Sequence, residues 1–186
     1  MPGSGLDRRI ERTRAALREA LIALMQERGW EDIDVQSLCA RANVGRSTFY
    51  LHYPNKEELL KASFAGLRGA LLAKAQAGPA GSLAFVPGLV AHVHEMQTLF
   101  RALLVRRSAQ FVHDRFRELL VEMIQSDLPA SSRAWQSSAR AHYLAGALFE
   151  LLIWWLGSNR PHSPRDIEAL FRQWSRAVLD APMVLK

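Results

Sequence analysis

Apolar residues recur at helical spacing along most of the chain, and the alternating runs typical of strands are nearly absent. The apolar stripe of the first helix consists of Ile10, Leu17, Leu21, Leu24 and Met25. Gly29 is expected to end this helix, because glycine accepts the left-handed backbone found after a helix C-terminus. The pattern predicts an all-α protein.

Three further elements follow the first helix. Asp34 stands at the N-cap position of a short helix, "VQSLCARA". Asn43 opens a turn, "NVG", because asparagine tolerates the left-handed conformation. A third helix is predicted from about Arg46 to His52, and Pro54 stops it because the residue before a proline avoids helical geometry. A longer helix is predicted to begin near Asn55.

The glycine- and proline-containing segment "AGPAGS" (Ala77 to Ser82) marks the clearest break in the chain. At least four more apolar-periodic segments follow it, and "SPRD" (Ser163 to Asp166) has the cap, proline and acid expected at the start of the last. We therefore predict a three-helix head over residues 8–55 and a larger helical body over residues 56–186.

The two short helices have the pattern of a helix-turn-helix motif, whose second helix enters the major groove of DNA. The predicted inner face consists of Val35, Leu38, Ala42, Val44 and Phe49. The predicted outer face consists of Arg46, Ser47, Thr48, Tyr50, Leu51 and His52. Arginine pairs with guanine, hydroxyls bind bases or phosphates, and leucine touches the thymine methyl group. On spacing alone, the corner of a plain helical bundle remains an equal alternative.

The segment "LCARANVGRSTFYLHYPNKEELL" resembles the signature of the tetracycline-repressor-like (TetR/AcrR) transcriptional regulators. The resemblance covers roughly residues 9–64 and is specific in its later half. The positions that fit the signature are Thr48, Phe49, Tyr50, His52, Tyr53, Lys56, Glu57, Leu59 and Leu60. The resemblance implies that Tyr50 contacts the DNA backbone, that His52 and Tyr53 pack the recognition helix against its neighbours, and that Lys56 binds a phosphate.

Three positions depart from the family pattern. Asn43 stands where the family usually has glycine, and Gly45 replaces a capping serine at a cost of a few tenths of a kcal/mol. Asp34 replaces a threonine beside the DNA backbone, where a carboxylate repels phosphate. We expect Ser37, one turn further on, to take over that contact.

The formal net charge of +6 favours a polyanionic partner. We expect Arg8 and Arg9 to act as a flexible basic arm on DNA, and Arg12, Arg14 and Arg18 to lie on a solvated helix face. The complete set of predicted DNA-binding residues is Arg8, Arg9, Ser37, Gly45, Arg46, Ser47, Thr48, Tyr50, Leu51, His52 and Lys56.

A single recognition helix touches too few bases for discrimination in a genome, so a pair reading two half-sites is expected. The helix near residues 139–156 is apolar almost all round, which a small monomer does not easily bury. The resemblance implies a four-helix bundle built from the last two helices of two chains. The predicted dimer-interface residues are Leu148, Leu152, Trp155, Leu170, Trp174 and Val178.

The resemblance also implies a small-molecule pocket in the body, whose ligand favours a conformer with mis-spaced recognition helices. The predicted pocket residues are His92, Met96, Phe100, Phe111, Tyr143, Glu150 and Trp154. Each has an alternative role in the plain core. Glu150 needs a partner inside an apolar helix, and Arg101, Arg106, Arg107 or a cationic ligand are the candidates.

The sequence gives little support for a disulfide framework, a metal site or a catalytic site. The one cysteine, Cys39, excludes an internal disulfide framework and is interpreted as core filler rather than a redox sensor. His92 and His94 lie two residues apart and face different directions on a helix, so no metal is expected. There is no nucleophile motif, phosphate loop or paired-carboxylate constellation, so neither an enzyme nor a cofactor is expected.

The most apolar run, "HYLAGALFELLIWWL", is interrupted by Glu150 and is shorter than the roughly 20 residues of a membrane span. The N-terminal stretch carries charges where an export signal needs an apolar core, so a cytoplasmic location is expected.

These observations predict a homodimeric, sequence-specific DNA-binding regulator, most simply a repressor that reads a palindromic operator and is released by a small-molecule effector. The alternative is an adaptor of the same family that binds a protein partner instead of DNA. The segments "FELLIWWL" and "SPRDIEALF" resemble a C-terminal subtype that includes such adaptors. A small helical enzyme is a third class, and no residue is a candidate for its chemistry.

Overall fold

The computed structural model describes residues 3–77, 82–105, 110–128, 134–158 and 162–181. Within these ranges the chain is helical and contains no strand, which confirms the all-α prediction. The helices are α1 (Gly3–Arg28), α2 (Val35–Ala42), α3 (Arg46–His52), α4 (Lys56–Gln76), α5 (Val86–Glu95), α6 (Gln97–Phe100), α7 (Gln110–Asp127), α8 (Ala134–Gly157) and α9 (Pro164–Asp180), with a π-helical turn at Arg101–Val105.

The predicted helix boundaries of the head are confirmed by the backbone. Gly29 follows α1 with φ of 84°, and Asn43 ends α2 in the left-handed region with φ of 52°. The Asp34 carboxylate accepts the Ser37 N–H at 2.7 Å and forms a capping box at the start of α2. The Asn55 side chain accepts the Glu58 N–H at 2.9 Å and caps α4. Local sequence signals therefore determine where these helices begin and end.

The capping prediction for the last helix is also confirmed. Ser163 and Asp166 form a reciprocal capping box, with Pro164 in the first turn of α9. This helix packs against α5 and α8, and α8 packs along most of α7. Residues 78–81, the centre of the predicted break, lie outside the described residues.

The hydrophobic core runs without interruption from the head into the body. The helix α1 contributes to both, since it contacts α2 in the head and also α6 and the π-helical turn. Residues 8–55 and 56–186 therefore share one core. We retain the predicted boundary as a proposed division of roles, with DNA contact assigned to the first part.

A stack of side chains joins the head to α7. Trp30, which is buried, stacks on Phe111 with ring centroids 5.5 Å apart and an interplanar angle of 15°. The Lys56 ammonium lies 4.6 Å from the centroid of Trp30, and the Arg115 guanidinium lies 5.5 Å from that of Phe111. Cations over aromatic faces are attracted to the ring quadrupole. The orientation of the head is thereby coupled to the position of α7.

No helix in the described ranges combines the length and the apolar character that crossing a membrane requires.

Candidate nucleic-acid interface and ligand cavity

The turn between α2 and α3 positions α3 so that one of its faces packs on the core and the other faces solvent. The Val44 N–H donates to the Cys39 carbonyl at 3.0 Å, and the left-handed Asn43 reverses the chain. Phe49 is completely buried and fixes the inner face of α3. The opposite face of a seven-residue helix anchored in this way is left to solvent.

The outward face of α3 contains two large side chains that have little reason to be exposed in an isolated chain. Leu51 is 83% exposed and Tyr50 is 57% exposed. Gly45, Arg46 and Ser47 are exposed as well. Of the remaining predicted residues, Thr48 and His52 are half-buried at the edges of this face. Four of the predicted side chains of α3 are therefore exposed to solvent, and two lie at the margins of the exposed surface.

A residue on α2 positions the first side chain of the recognition helix. The Arg46 Nη2 donates to the Gln36 Oε1 at 2.6 Å. A guanidinium has five N–H donors, so this bond orients the head group and leaves donors for another partner. Sequence reasoning missed Gln36. Its place on α2, two residues after the Asp34 cap, is the signal that would have identified it.

Ser37 is occupied by the capping box and is poorly placed for the predicted contact with phosphate. Its hydroxyl donates to the Asp34 carbonyl at 2.9 Å. The hydrogen bond from the Ser37 backbone N–H lowers the pKa of the Asp34 carboxyl, so that carboxyl is ionised and repels an approaching phosphate. The physical reason for the discrepancy is that one hydroxyl hydrogen serves only one acceptor at a time.

Lys56 has an internal role that the resemblance did not suggest. Its ammonium donates to the carbonyl of Ile33 at 2.8 Å and to that of Trp30 at 3.1 Å. Two of its three N–H groups are therefore bonded within the head. These bonds hold the start of α4 against the segment that links α1 to α2. We interpret Lys56 as a brace of the head first, with any phosphate contact limited to its third N–H.

Replacing Lys56 with alanine is expected to destabilise the folded chain by about 2 kcal/mol, because two charge-assisted hydrogen bonds and a cation–π contact are lost together. Urea unfolding followed by circular dichroism measures this loss. Lys61→Ala is the matched control, since the Lys61 ammonium pairs with Glu58 at the surface at 2.6 Å. A surface pair contributes about 0.5 kcal/mol. Equal losses in the two variants would contradict the bracing role.

Arg8 and Arg9 lie on the first turns of α1 and not on a flexible arm, because the helix begins at Gly3. Both side chains are exposed. The Arg9 carbonyl accepts the Thr13 hydroxyl at 3.1 Å, as expected within a regular helix. The predicted arm is therefore helical, and the DNA contact of these two arginines remains a prediction.

A cavity of about 430 Å³ lies where α1, α4, α5, α6, the π-helical turn and α7 meet. Its walls are mainly apolar, and Ile22, Phe64, Leu67, Leu103 and Phe116 are among its lining residues. Small-molecule sites are typically apolar clefts of about 300–1,000 Å³ with a few polar groups. The size and lining of this cavity fit that description.

Two of the seven predicted pocket residues, His92 and Phe100, line the cavity. Their rings meet edge to face at 5.9 Å. Met96 packs on the core without lining the cavity, and Phe111 is engaged at the Trp30 junction instead. The structure does not bring these two residues to the cavity, because the spacing of apolar helix positions does not reveal which wall each side chain faces.

The remaining three predicted pocket residues, Tyr143, Glu150 and Trp154, do not line this cavity and lie on the outer face of α8. They line a surface groove of about 390 Å³ between α8 and α9. Glu150 is exposed, so water satisfies its carboxylate without an arginine. Of its predicted partners, Arg106 and Arg107 lie outside the described residues.

Sequence reasoning missed the charged lining of the cavity. Arg18 and Glu19 from α1 and Lys74 from α4 line it, although Arg18 was expected on a solvated face. Burial lowers the pKa of His92, and the Lys74 ammonium adds to this effect while Glu95 opposes it. His92 is therefore predominantly neutral at pH 7. A basic residue that falls on the apolar stripe of α1, one residue after Leu17, was the available signal.

Half of the predicted dimer interface is buried inside a single chain. Leu148 and Leu152 have no exposed surface, and Trp155 is 7% exposed, so none of the three is available to a second copy. These predictions are corrected: α7 and α9 cover that side of α8. Leu170 and Val178 are half-buried, and Trp174 is 62% exposed.

The exposed apolar surface lies instead on the opposite side of α8 and on the adjoining part of α9. Tyr143 is 64% exposed and Trp154 is 52% exposed, and the exposed Ala147 and Glu150 lie between them on the same face. Together with Trp174 these residues form what we call the aromatic face. An exposed patch of several large apolar side chains marks an interaction site.

The described residues contain no group of three or more His, Cys, Asp or Glu side chains arranged to hold a metal ion. His94 instead stacks on Trp155 at 5.8 Å.

The described residues thus combine a helix-turn-helix head with a helical body that contains a mainly apolar cavity. Comparison with known proteins agrees: residues 17–63 match the family described as "Bacterial regulatory proteins, tetR family". This match includes α2, α3 and the turn between them, so the head of the chain is similar to the tetR family of regulators.

Among curated proteins, the chain is similar to YxbF of Bacillus subtilis, an uncharacterized HTH-type transcriptional regulator, with 24% identity over 180 residues. The match covers 91% of this chain and 46% of the relative, so the chain spans about half the length of that protein.

Among solved structures, the chain is similar to a TetR transcriptional regulator from Streptococcus agalactiae, with a TM-score of 0.66 and 28% identity. That match covers 90% of this chain and 96% of the other. A second similar fold is Thermus thermophilus FadR, a TetR-family repressor in complex with lauroyl-CoA. Its TM-score is 0.58 with 19% identity, covering 93% of this chain and 96% of that chain.

Proposed function

We propose that the chain is a homodimeric repressor that reads a palindromic operator through α3 and releases it when a small molecule fills the cavity. The observation that supports this most strongly is the exposure of Tyr50 and Leu51 on a recognition helix whose other face is anchored by Phe49. An exposed leucine beside a tyrosine and an arginine suits apolar contact with thymine methyl groups and hydrogen bonding to guanine.

The aromatic face supports the dimer. Tyrosine and tryptophan side chains bury about 150–250 Å² each and dominate the energetics of interfaces. Ala147 leaves room at the centre of the face for the close approach of a second helix. A twofold axis through this face buries the same patch on both chains. The dimer surface we propose is therefore built from Tyr143, Ala147, Trp154 and Trp174, with Leu170 and Val178 at its margin.

The position of the cavity supports release by a ligand. Its walls include α1, which belongs to the head, and α4, whose first residue Lys56 donates hydrogen bonds to carbonyls of the head. A ligand that prefers a different spacing of these helices shifts the orientation of α3 through the Lys56, Trp30 and Phe111 junction. Only the difference in affinity between the two conformers drives this shift. The two recognition helices of a dimer then no longer match two half-sites.

The adaptor alternative is less well supported. An adaptor has no need for an exposed Arg46, Ser47, Tyr50 and Leu51 on one side of the recognition helix. The aromatic face is compatible with a protein partner as well as with a second copy, so the DNA experiment decides between the two functions.

Selection of bound fragments from sheared genomic DNA of the source organism tests the proposal. Enriched fragments are expected to share two inverted half-sites about 10 base pairs, or a small multiple, apart. Fluorescence anisotropy with such a duplex should show affinity falling steeply as salt rises, because phosphate contacts release counterions. Failure to enrich any fragment over a scrambled duplex would contradict the proposal and favour the adaptor.

A further inference from the structure

The polar groups of the cavity are few and predominantly basic. Among its lining residues Arg18, Lys74 and His92 are basic, and Glu19 is the single acid. Ser63 contributes a hydroxyl that already donates to the Leu59 carbonyl at 2.8 Å. With His92 neutral, the lining has a formal charge of +1, and the remaining walls are carbon. A cavity of this composition selects a ligand with a long apolar part and a small charged part.

Neither of the two cations that line the cavity is ion-paired within the part of the chain that the structure describes, although Glu19 lies on the same cavity wall. Within the described ranges, neither Arg18 nor Lys74 has a carboxylate oxygen within 4 Å. Other cations on the same helices do have such partners, since Arg14 lies 3.2 Å from Glu11 and Arg68 lies 3.9 Å from Glu122. Arg18 is half-buried and Lys74 is exposed at the mouth of the cavity, so an anionic ligand can form charge-assisted hydrogen bonds with both cations.

Lys74 lies at the end of the cavity away from the head, whereas Arg18 lies partway along α1 between Ala15 and Leu21. Lys74 is the last residue of α4 that lines the cavity, whereas Leu60 is the first and lies next to the head. Met25 lines it from the corresponding end of α1. An apolar tail therefore fits toward the head, with its charged end toward Lys74.

We infer that the effector is an amphiphilic anion whose apolar tail occupies the cavity toward the head and whose anionic group is bound by Lys74 and Arg18. This inference rests on the proposed ligand-released function and names the chemical class of the ligand. Arg18 belongs to α1 and Lys74 to α4, so one anion links α1 of the head to α4 of the body. The same contact that selects the ligand thereby changes the helix spacing on which release depends.

A neighbouring groove adds a further cation for a larger anionic group. The groove, of about 340 Å³, shares Leu71, Lys74 and Gly88 with the cavity and is also lined by Arg172 of α9, whose guanidinium lies 3.2 Å from the Glu168 carboxylate. The anionic group is therefore either a simple carboxylate held by Arg18 and Lys74, or a phosphate-bearing group that extends from Lys74 to Arg172. Ligands with either anionic group have the same apolar tail and a negative charge.

Isothermal titration calorimetry on the DNA-free protein, with four probes of equal tail length, tests this inference. The probes are dodecanoate, dodecanol, dodecyltrimethylammonium and lauroyl-CoA, each below its micelle concentration. Dodecanoate or lauroyl-CoA is expected to bind at least about ten-fold more tightly than the alcohol or the ammonium compound. Preference for dodecanoate assigns the simple carboxylate, and preference for lauroyl-CoA with an additional loss in Arg172→Gln assigns the larger group.

Lys74→Gln and Arg18→Gln should each weaken binding of the preferred anion by about ten-fold. Arg12→Gln is the matched control, since Arg12 is an exposed arginine on α1 that does not line the cavity. Equal binding of the neutral or cationic probe, binding unchanged in both variants, or no binding of any probe would overturn the inference. Because no DNA is present, these outcomes are independent of the operator experiment, whose failure would overturn the proposed function instead.

Discussion

The double variant Arg46→Ala/Tyr50→Ala is expected to lose sequence-specific DNA binding, with a dissociation constant for the operator raised about 100-fold or more. A good bidentate contact from arginine to guanine is worth about 1–3 kcal/mol of discrimination, and the loss of the tyrosine contact adds to it. Fluorescence anisotropy with the selected duplex and with a scrambled one measures both affinity and discrimination. The ratio between the two duplexes should approach one in the variant.

The fold should not change in this variant, since surface substitutions typically alter stability by less than about 0.5 kcal/mol. Both side chains are exposed, and Phe49 still anchors the inner face of α3. Arg165→Ala is the control for charge, because Arg165 is an exposed arginine on α9, far along the chain from the head. Retention of operator discrimination by the double variant would exclude the outward face of α3 as the reader.

The second large effect is expected at the aromatic face. The double variant Trp154→Glu/Trp174→Glu should convert the dimer into a monomer, because four carboxylates would have to be buried across a twofold axis. Sedimentation velocity should give the 20.9 kDa mass of one chain for the variant and twice that mass for the parent protein. Since Trp154 and Trp174 are 52% and 62% exposed in the single chain, the helical content should be preserved.

Ala169→Glu is the matched control for the dimer, because Ala169 is exposed on the other flank of α9, beside Arg165, Arg172 and Arg176. This variant should remain dimeric. The monomeric variant should also bind the operator far more weakly, since two half-sites are no longer engaged by one particle. If the parent protein sediments as a single chain at all concentrations, the proposed homodimer is contradicted.

The head was predictable from sequence because its elements are short and have strong local signals. Gly29, Asp34, Asn43 and Asn55 each determine a backbone conformation or cap within a few residues, so the helix limits followed directly. The outward face of α3 followed from the same spacing. Short-range chemistry of this kind does not depend on how distant segments pack.

The sites in the body were less predictable because they depend on which side of a helix a neighbour covers. Leu148 and Leu152 had the right chemistry for a dimer face, but α7 and α9 bury them within one chain. Tyr143 and Trp154 were assigned to the pocket for their size, although they point outward. Since α8 is apolar almost all round, its sequence pattern does not distinguish the two sides.

The polar contacts of Lys56 and Arg46 and the place of Arg18 in the cavity were the hardest to predict from the sequence. The carbonyls that occupy Lys56 come from the connecting segment after α1, and the glutamine that positions Arg46 comes from the preceding helix. Arg18 lines the cavity only because α4 and α5 approach α1 at that level. Each of these contacts joins residues from different elements, so no local pattern contains them.

Protection of guanine N7 from methylation by dimethyl sulfate tests the central claim most directly, because N7 faces the major groove. On the selected operator, two protected patches are expected, centred about one helical turn or a small multiple apart, and both should disappear in the Arg46→Ala/Tyr50→Ala variant. Binding without any N7 protection, or protection that the variant leaves unchanged, would contradict a recognition helix lying in the major groove.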